Sequence, residues 1–130
     1  MSDDFRTFED FWPYYVGEHA KPQTRWMHFA GTAAFLACLT RFAATRKPRW
    51  FLASVIAGYG PAWISHFFVE HNRPATFKHP VWSLIADFRM FGLMVAGRMD
   101  AEIERLKTRD AAGHDATSTT SVERDARSMN

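Results

Sequence analysis

Residues 50–69, with the sequence WFLASVIAGYGPAWISHFFV, form a run of 20 residues without a formal charge. About 20 apolar residues in an α-helix span a bilayer core of about 30 Å. The run is too long for a buried strand and shows no strand-like alternation. It therefore predicts a long apolar helix. Gly58, Gly60 and Pro61 predict a kink within it, which neighbouring helices tolerate in a membrane bundle.

Three more helices are predicted around this one. Aromatic residues at helical spacing indicate a first helix over residues 7–19. A second helix is predicted over residues 24–44, and a fourth over residues 80–107, which is apolar up to residue 97 and charged beyond it. The predicted fold class is therefore all-α, a small bundle of about four helices. Membrane integration is favoured over the alternative of a compact soluble bundle, because the apolar runs are longer and less interrupted than those of soluble amphipathic helices.

The distribution of aromatic residues divides the chain. All 12 Phe, 5 Trp and 3 Tyr precede residue 92. Residues 108–130 contain no aromatic residue, Leu or Ile, and their polar composition is typical of disorder. We therefore predict a helical membrane domain over residues 1–107, which would hold any catalytic site, and a disordered polar tail over residues 108–130.

Charge and cysteine content exclude several classes of partner and site. A formal net charge of +2, without a stripe of Lys and Arg among aromatics, argues against nucleic-acid binding. The single Cys38 excludes a disulfide framework and a cysteine-rich zinc site. The expected surroundings are membrane lipid, with a multi-pass location in the inner membrane of a bacterium or the endoplasmic reticulum of a eukaryote.

Five of the six histidines fall between residues 19 and 79. If helices two and three form a hairpin about Lys47, His28 lies 19 residues before the turn and His66 lies 19 residues after it. At 1.5 Å per residue, both lie about 28 Å from the turn, at the same end of the hairpin. Glu70 shares a helical face with His66 because it follows four residues later. The same end also receives His19, His71 and His79.

This grouping indicates a metal site. Imidazoles with a carboxylate and no thiolate suit iron, zinc, manganese or copper, and oxygen-using Fe(II) sites are commonly built from His and carboxylate. A single histidine near a helix end is more often a hydrogen-bonding residue than a ligand. Five histidines at one end of an apolar body favour a metal, because buried polar groups are costly there unless paired or ligating.

Charged residues near the cluster have two interpretations. Arg73 can bind a substrate carboxylate through two parallel hydrogen bonds, and a solvated or capping role fits it equally well. Asp87 and Arg89, within the apolar part of the fourth helix, are interpreted as partners of one another or of their helix neighbours.

The motifs together resemble a known family. Tyr14-Tyr15 with His19, then HFAG at residues 28–31, then PAWISHFFVEHNRPATFKHPVWSL at residues 61–84 are similar to the family typified by the fungal 2-hydroxy fatty acid dioxygenase. That family degrades phytosphingosine to odd-numbered fatty acids. The similarity covers roughly residues 8–97.

The resemblance implies a small multi-pass membrane enzyme that uses Fe(II) and O2 to shorten a 2-hydroxy fatty acid by one carbon. It implies iron ligands at His19, His28 and His66, with Glu70 as a fourth ligand or as the partner that orients an imidazole. His71 and His79 are further candidates for either role. Arg73 would hold the substrate carboxylate.

Two other functions fit the same residues. A metal-dependent lipid hydrolase could use the same histidines, and it would act without O2. A non-catalytic membrane scaffold could carry them as interfacial or pH-sensing groups. Metal content separates the scaffold from both enzymes, and dependence on O2 separates the two enzymes from each other.

Overall fold

The computed structural model describes residues 4–128, in which every regular element is helical, so the all-α prediction is confirmed. Backbone contacts divide the chain into two compact units, Met1–Gly97 and Arg98–Asn130. The elements are α1 (Phe8–Glu18), α2 (Pro22–Thr45), α3 (Pro48–Ile64), a π-helical turn (Ser65–Glu70), a 3₁₀ turn (Ala75–Phe77), α4 (Pro80–Val95) and α5 (Met99–Ser128).

The helix starts follow directly from the sequence. Helices α2, α3 and α4 each begin at a proline, whose missing N–H costs nothing in the first helical turn. Helix α1 begins with a reciprocal cap, in which the Thr7 side chain accepts from the Asp10 amide and the Asp10 carboxylate accepts from the Thr7 amide. Each of these helices can therefore begin directly after a short connection.

Helices α2 and α3 form the antiparallel hairpin on which the histidine argument depends, with its turn at Arg46 and Lys47. Their backbones approach closely at Gly31, where a Cβ atom would lie 3.1 Å from the carbonyl oxygen of Ala57 and 3.2 Å from that of Gly58. The close approach brings the N-terminal half of α2 against the C-terminal half of α3.

A π-helical turn follows the part of α3 in which a kink at Gly58, Gly60 and Pro61 is predicted. Helix α3 continues through Pro61 to Ile64, and Ser65–Glu70 follows without a break in the helical path. Such turns insert one residue into the hydrogen-bond ladder and are frequent at functional sites. His66 is the second residue of this turn, so the turn sets the direction of its side chain.

The predicted fourth helix is two helices in the structure. Helix α4 ends at Val95, and Gly97 adopts a positive φ of 66°, which is the glycine conformation that terminates many helices. Helix α5 then continues to Ser128. Prediction and structure thus differ between residues 96 and 98. The sequence pattern did not predict a break there, because a helix can continue through a single glycine.

The segment predicted to be disordered is helical as far as Ser128, and residues 129–130 lie outside the described residues. The predicted domain boundary at residue 107 lies within α5. The difference has a physical reason. The absence of large apolar residues predicts the absence of packing, but a helix satisfies its own backbone hydrogen bonds, and Ala, Arg and Glu favour helix without packing.

Two helical segments are long and apolar enough to cross a membrane, Pro22–Thr45 and Pro48–Glu70. Only 17% and 22% of their most apolar windows are buried inside the protein, whereas the core helix of a soluble protein is mostly buried. The fully buried large side chains come instead from α1 and α4, and include Phe11, Trp12 and Met90. The protein core therefore lies near the histidine end of the hairpin.

Candidate metal centre

Three histidines from three different elements meet in the core. His19 follows the last residue of α1, His28 lies in α2, and His66 lies in the π-helical turn. The Nε2 atom of His19 lies 3.1 Å from Nε2 of His28 and 3.1 Å from Nε2 of His66. All three histidine residues are at most 5% exposed. The structure thus brings together three of the five histidines that the sequence assigned to this end.

The opposite nitrogen of each ring has an oxygen partner. Nδ1 of His19 donates to the carbonyl oxygen of Tyr15 at 2.7 Å, and Nδ1 of His28 donates to Oδ1 of Asp87 at 3.2 Å. Nδ1 of His66 donates to Oδ1 of Asn72 at 2.7 Å. The Asn72 amide is oriented because its Nδ2 donates to the Glu18 carbonyl oxygen at 3.0 Å.

These partners set the tautomer of each ring. A neutral imidazole that donates from Nδ1 has a lone pair on Nε2. Burial, followed by the neighbouring His28 and His66, holds the pKa of His19 well below its usual value, so this ring is neutral. Three Nε2 atoms therefore face one another, and together they can hold a metal ion.

The spacing fits a metal ion. Two imidazole nitrogens that each lie about 2.1 Å from a metal are separated by roughly 3.0 Å at a right angle and roughly 3.4 Å at a tetrahedral angle. The two separations that involve His19, 3.1 Å each, fall in this range. The limit of 4.8 Å on all three mutual separations is wider than this range, so the fit rests on the two His19 pairs. Partners on the far ring nitrogens are typical of metal-binding histidines.

Asp87 is the carboxylate of this site, and its interpretation as a partner of Arg89 was wrong. Oδ1 of Asp87 accepts from Nδ1 of His28 and from the Tyr15 hydroxyl. Burial and then the Asp87 charge raise the pKa of Tyr15 well above its usual value, which keeps the hydroxyl protonated as a donor. Arg89 pairs instead with Glu9 at 2.9 Å. The two residues diverge because they are two positions apart on a helix and point to different faces.

Glu70 lies at the start of α2 rather than among the three imidazole nitrogens. Its Oε1 accepts from the backbone amide of Lys21 at 2.7 Å, where a negative charge stabilises the N-terminus of α2. The metal-capable group found among the described residues comprises His19, His28 and His66. Glu70 thus fixes the connection that carries His19 and the start of α2.

The other candidate residues lie outside the cluster. His71 is exposed and adopts a left-handed backbone conformation, with φ at 59°. The His79 ring packs against Phe5 and Phe11, away from the three nitrogens. Arg73 is exposed and lines a separate cavity at the protein surface.

A cavity of about 60 Å³ opens beside the three histidines, between α2, α3 and α4. Thr32 and Phe35 of α2 continue its wall one and two turns beyond His28. Of the described residues that line it, none is Lys or Arg. Its outer rim consists of four side chains that are each more than a third exposed: Tyr59, Trp63, Leu84 and Phe88.

Sequence reasoning missed Asp87, Tyr15 and Asn72 as members of this site. Asp87 had a usable signal, because a carboxylate within the apolar run of α4 needs a partner. Tyr15 matched the helical spacing of a core aromatic, and its place in the Tyr14-Tyr15 motif of the family resemblance did not indicate contact with Asp87. Asn72 follows the π-helical turn, and its position opposite His66 depends on the path of that turn.

Comparison with known proteins gives one match. The family model described as Mpo1-like, 2-hydroxy-palmitic acid dioxygenase Mpo1-like, matches residues 5–99. This range contains the three histidines, their partners and the cavity. No curated protein and no solved structure matches the chain.

Proposed function

The chain belongs to the Mpo1-like family, and on that basis we propose that it is an Fe(II)- and O2-dependent dioxygenase that shortens 2-hydroxy fatty acids by one carbon. The observation that carries the proposal is the convergence of three buried Nε2 atoms whose rings are fixed from behind. Three histidines leave coordination positions open for substrate and O2, as oxygen-using iron sites require.

His19, His28 and His66 would hold the metal through Nε2. When bound, Fe(II) would supply electrons to O2 and a Lewis acid for the hydroxyl and carboxylate oxygens of the substrate. The overall reaction balances if the C1–C2 bond breaks, the carboxyl carbon leaves as CO2, and one water forms beside the shortened acid. Asp87 would increase the basicity of His28 through the Nδ1 hydrogen bond.

The cavity supports a substrate with a polar head and an apolar tail. A volume of about 60 Å³ suits a head group beside the metal but not a long acyl chain. The acyl tail would leave the cavity across its aromatic and aliphatic rim, where it would contact Trp63 and Phe88. Since this rim lies between apolar helices, the tail would remain in an apolar environment.

Membrane integration is part of the proposal. The two candidate spans expose most of their apolar surface, which lipid would cover. The acyl tail of a 2-hydroxy fatty acid partitions into the same lipid, so the substrate could reach the rim laterally without crossing water.

The test is O2 consumption by detergent-solubilised protein that has been purified anaerobically and loaded with iron. We expect uptake with 2-hydroxypalmitate, formation of pentadecanoate, and no uptake with palmitate, which lacks the 2-hydroxyl. Iron-loaded protein that consumes no O2 with any 2-hydroxy fatty acid would contradict the proposal. Cleavage of lipid esters under anaerobic conditions would instead support the hydrolase.

A further inference from the structure

Ser83 has a hydroxyl group that the protein leaves without a partner. Its side chain is 2% exposed, and its Oγ atom forms no hydrogen bond with the described residues. Two other buried helical serines bond back to their own helix: Ser54 donates to the Phe51 carbonyl at 2.6 Å, and Ser65 donates to that of Ala62 at 2.7 Å. The buried hydroxyl of Thr24 is also without a partner among the described residues, but Ser83, unlike Thr24, lines the cavity beside the histidines.

The position of Ser83 relates this hydroxyl to the metal centre. Ser83 lines the cavity beside the three histidines, one helical turn before Asp87 on the same face of α4. Three other lining residues besides Tyr15 carry hydroxyls, and they are more exposed: Thr32, Tyr59 and Thr76. A hydroxyl that is closed off from solvent needs a partner within the cavity.

The chemistry of the cavity selects the partner. A carboxylate is an acceptor at both oxygens, and no Lys or Arg lines this cavity to receive it. Asp87 would repel it, and the Tyr15 hydroxyl already donates to Asp87. The donor that remains in the buried wall is the hydroxyl of Ser83.

We propose that Ser83 is a substrate-binding residue, whose hydroxyl donates a hydrogen bond to the carboxylate of a 2-hydroxy fatty acid held at the metal centre. The proposal rests on the proposed function for the identity of the substrate. It assigns head-group recognition to a neutral donor in the cavity wall, in a site where the metal supplies the positive charge.

The experiment measures binding of 2-hydroxypalmitate to iron-loaded protein under anaerobic conditions in detergent, by calorimetry. Ser83→Ala should weaken binding about 10- to 100-fold, the effect of losing one hydrogen bond to a charged group. Iron content should remain unchanged. The matched control is Ser54→Ala, which removes a buried hydroxyl away from the cavity and should leave the affinity for 2-hydroxypalmitate unchanged.

Two further measurements separate binding from structure. The unfolding midpoint of metal-free Ser83→Ala should equal or exceed that of the parent protein, because the variant loses an unpaired buried hydroxyl. Hexadecane-1,2-diol, which has the 2-hydroxyl but no carboxylate, should bind Ser83→Ala and the parent protein equally. An equal loss with the diol would contradict the carboxylate assignment, and so would a clear drop in the midpoint.

Failure of this proposal is distinguishable from failure of the proposed function. Absence of 2-hydroxypalmitate binding to the parent protein, or unchanged affinity in Ser83→Ala, would overturn the role of Ser83. Serine-dependent binding without O2 consumption would support that role while contradicting the dioxygenase activity.

Discussion

At the scale of single residues, the metal centre depends on which nitrogen of each imidazole is engaged. The Nδ1 atom of each ring donates a hydrogen bond to an oxygen, which belongs to Tyr15, Asp87 or Asn72. The three Nε2 atoms are therefore left to face one another. The Asn72 amide is itself fixed by the Glu18 carbonyl oxygen, so the orientation of His66 depends on a chain of two hydrogen bonds. The three Nε2 atoms thus form a group that can hold a metal ion.

The first prediction concerns His66→Ala. We expect the affinity for Fe(II) to fall by more than about 100-fold, because losing a ligand costs more than losing an outer partner, which costs about 10- to 100-fold. Iron content after anaerobic loading, measured by elemental analysis, checks this. His71→Ala is the matched control, since His71 is exposed and lies five residues further along the chain. Equal iron content in the two variants would contradict the assignment.

The second prediction concerns Asp87→Asn, which keeps an acceptor oxygen and removes the charge that His28 faces. We expect the fold to persist and metal affinity to fall about 10- to 100-fold, because a neutral partner makes the imidazole less basic. Competition with a chelator of known affinity measures the change. Glu9→Gln, which breaks only the exposed pair with Arg89, should leave metal affinity unchanged. The two variants would behave alike if Asp87 were an ordinary surface charge.

At the scale of the elements, the contact between α2 and α3 positions His28 against His66. Gly31 lies one turn beyond His28. Any side chain there would meet backbone carbonyls of α3, and backbone atoms cannot move aside as a flexible side chain can. At Gly92, inside α4, an added Cβ atom would meet nothing within 4 Å.

The third prediction compares Gly31→Ala with Gly92→Ala. The first should destabilise the protein by about 1–3 kcal/mol, because the hairpin must separate slightly to admit the methyl group. The second should be neutral or stabilise it by up to about 1 kcal/mol, because alanine favours a helix interior over glycine. Thermal unfolding in detergent compares the two. Similar midpoints for both variants would show that the hairpin is not closely packed at Gly31.

At the scale of the whole molecule, the distribution of apolar surface is unlike that of a soluble protein. Large apolar side chains on α3 are strongly exposed, including Leu52 at 61% and Ile56 at 62%. The buried aromatic core lies instead around α1 and the histidine end. An exposed apolar surface of this kind marks a site of contact with lipid or with another protein.

The fourth prediction tests lipid contact. The protein should stay with the membrane pellet after alkaline carbonate extraction and should dissolve in detergent. Ile56→Lys should reduce the membrane-inserted fraction, because a lysine near the centre of a span costs roughly 3 kcal/mol. Val81→Lys is the control, since Val81 is equally exposed but lies outside both candidate spans. Release of the parent protein by carbonate would argue against integration.

The helices themselves were determined by the sequence. Apolar runs and aromatic residues at helical spacing act locally, so they predicted α1, α2, α3 and the start of α4 closely. The polar composition after residue 107 predicted disorder, whereas α5 is helical as far as Ser128. Gly97 ended α4 where the pattern allowed continuation. A glycine adopts a positive φ only when the surrounding chain turns there.

The sequence also determined which end of the hairpin carries the histidines, because the number of residues from the turn sets the distance from the turn along the helix axis. Tertiary structure alone decided which of the side chains at that end meet. The direction in which each side chain points depends on the rotation of its helix about its own axis and, for His66, on the π-helical turn. That rotation directed His28 toward Asp87, 59 residues further along the chain. It also separated Glu70, His71 and His79 from the three nitrogens that converge. Spacing fixes distance along an axis, and packing fixes direction around it.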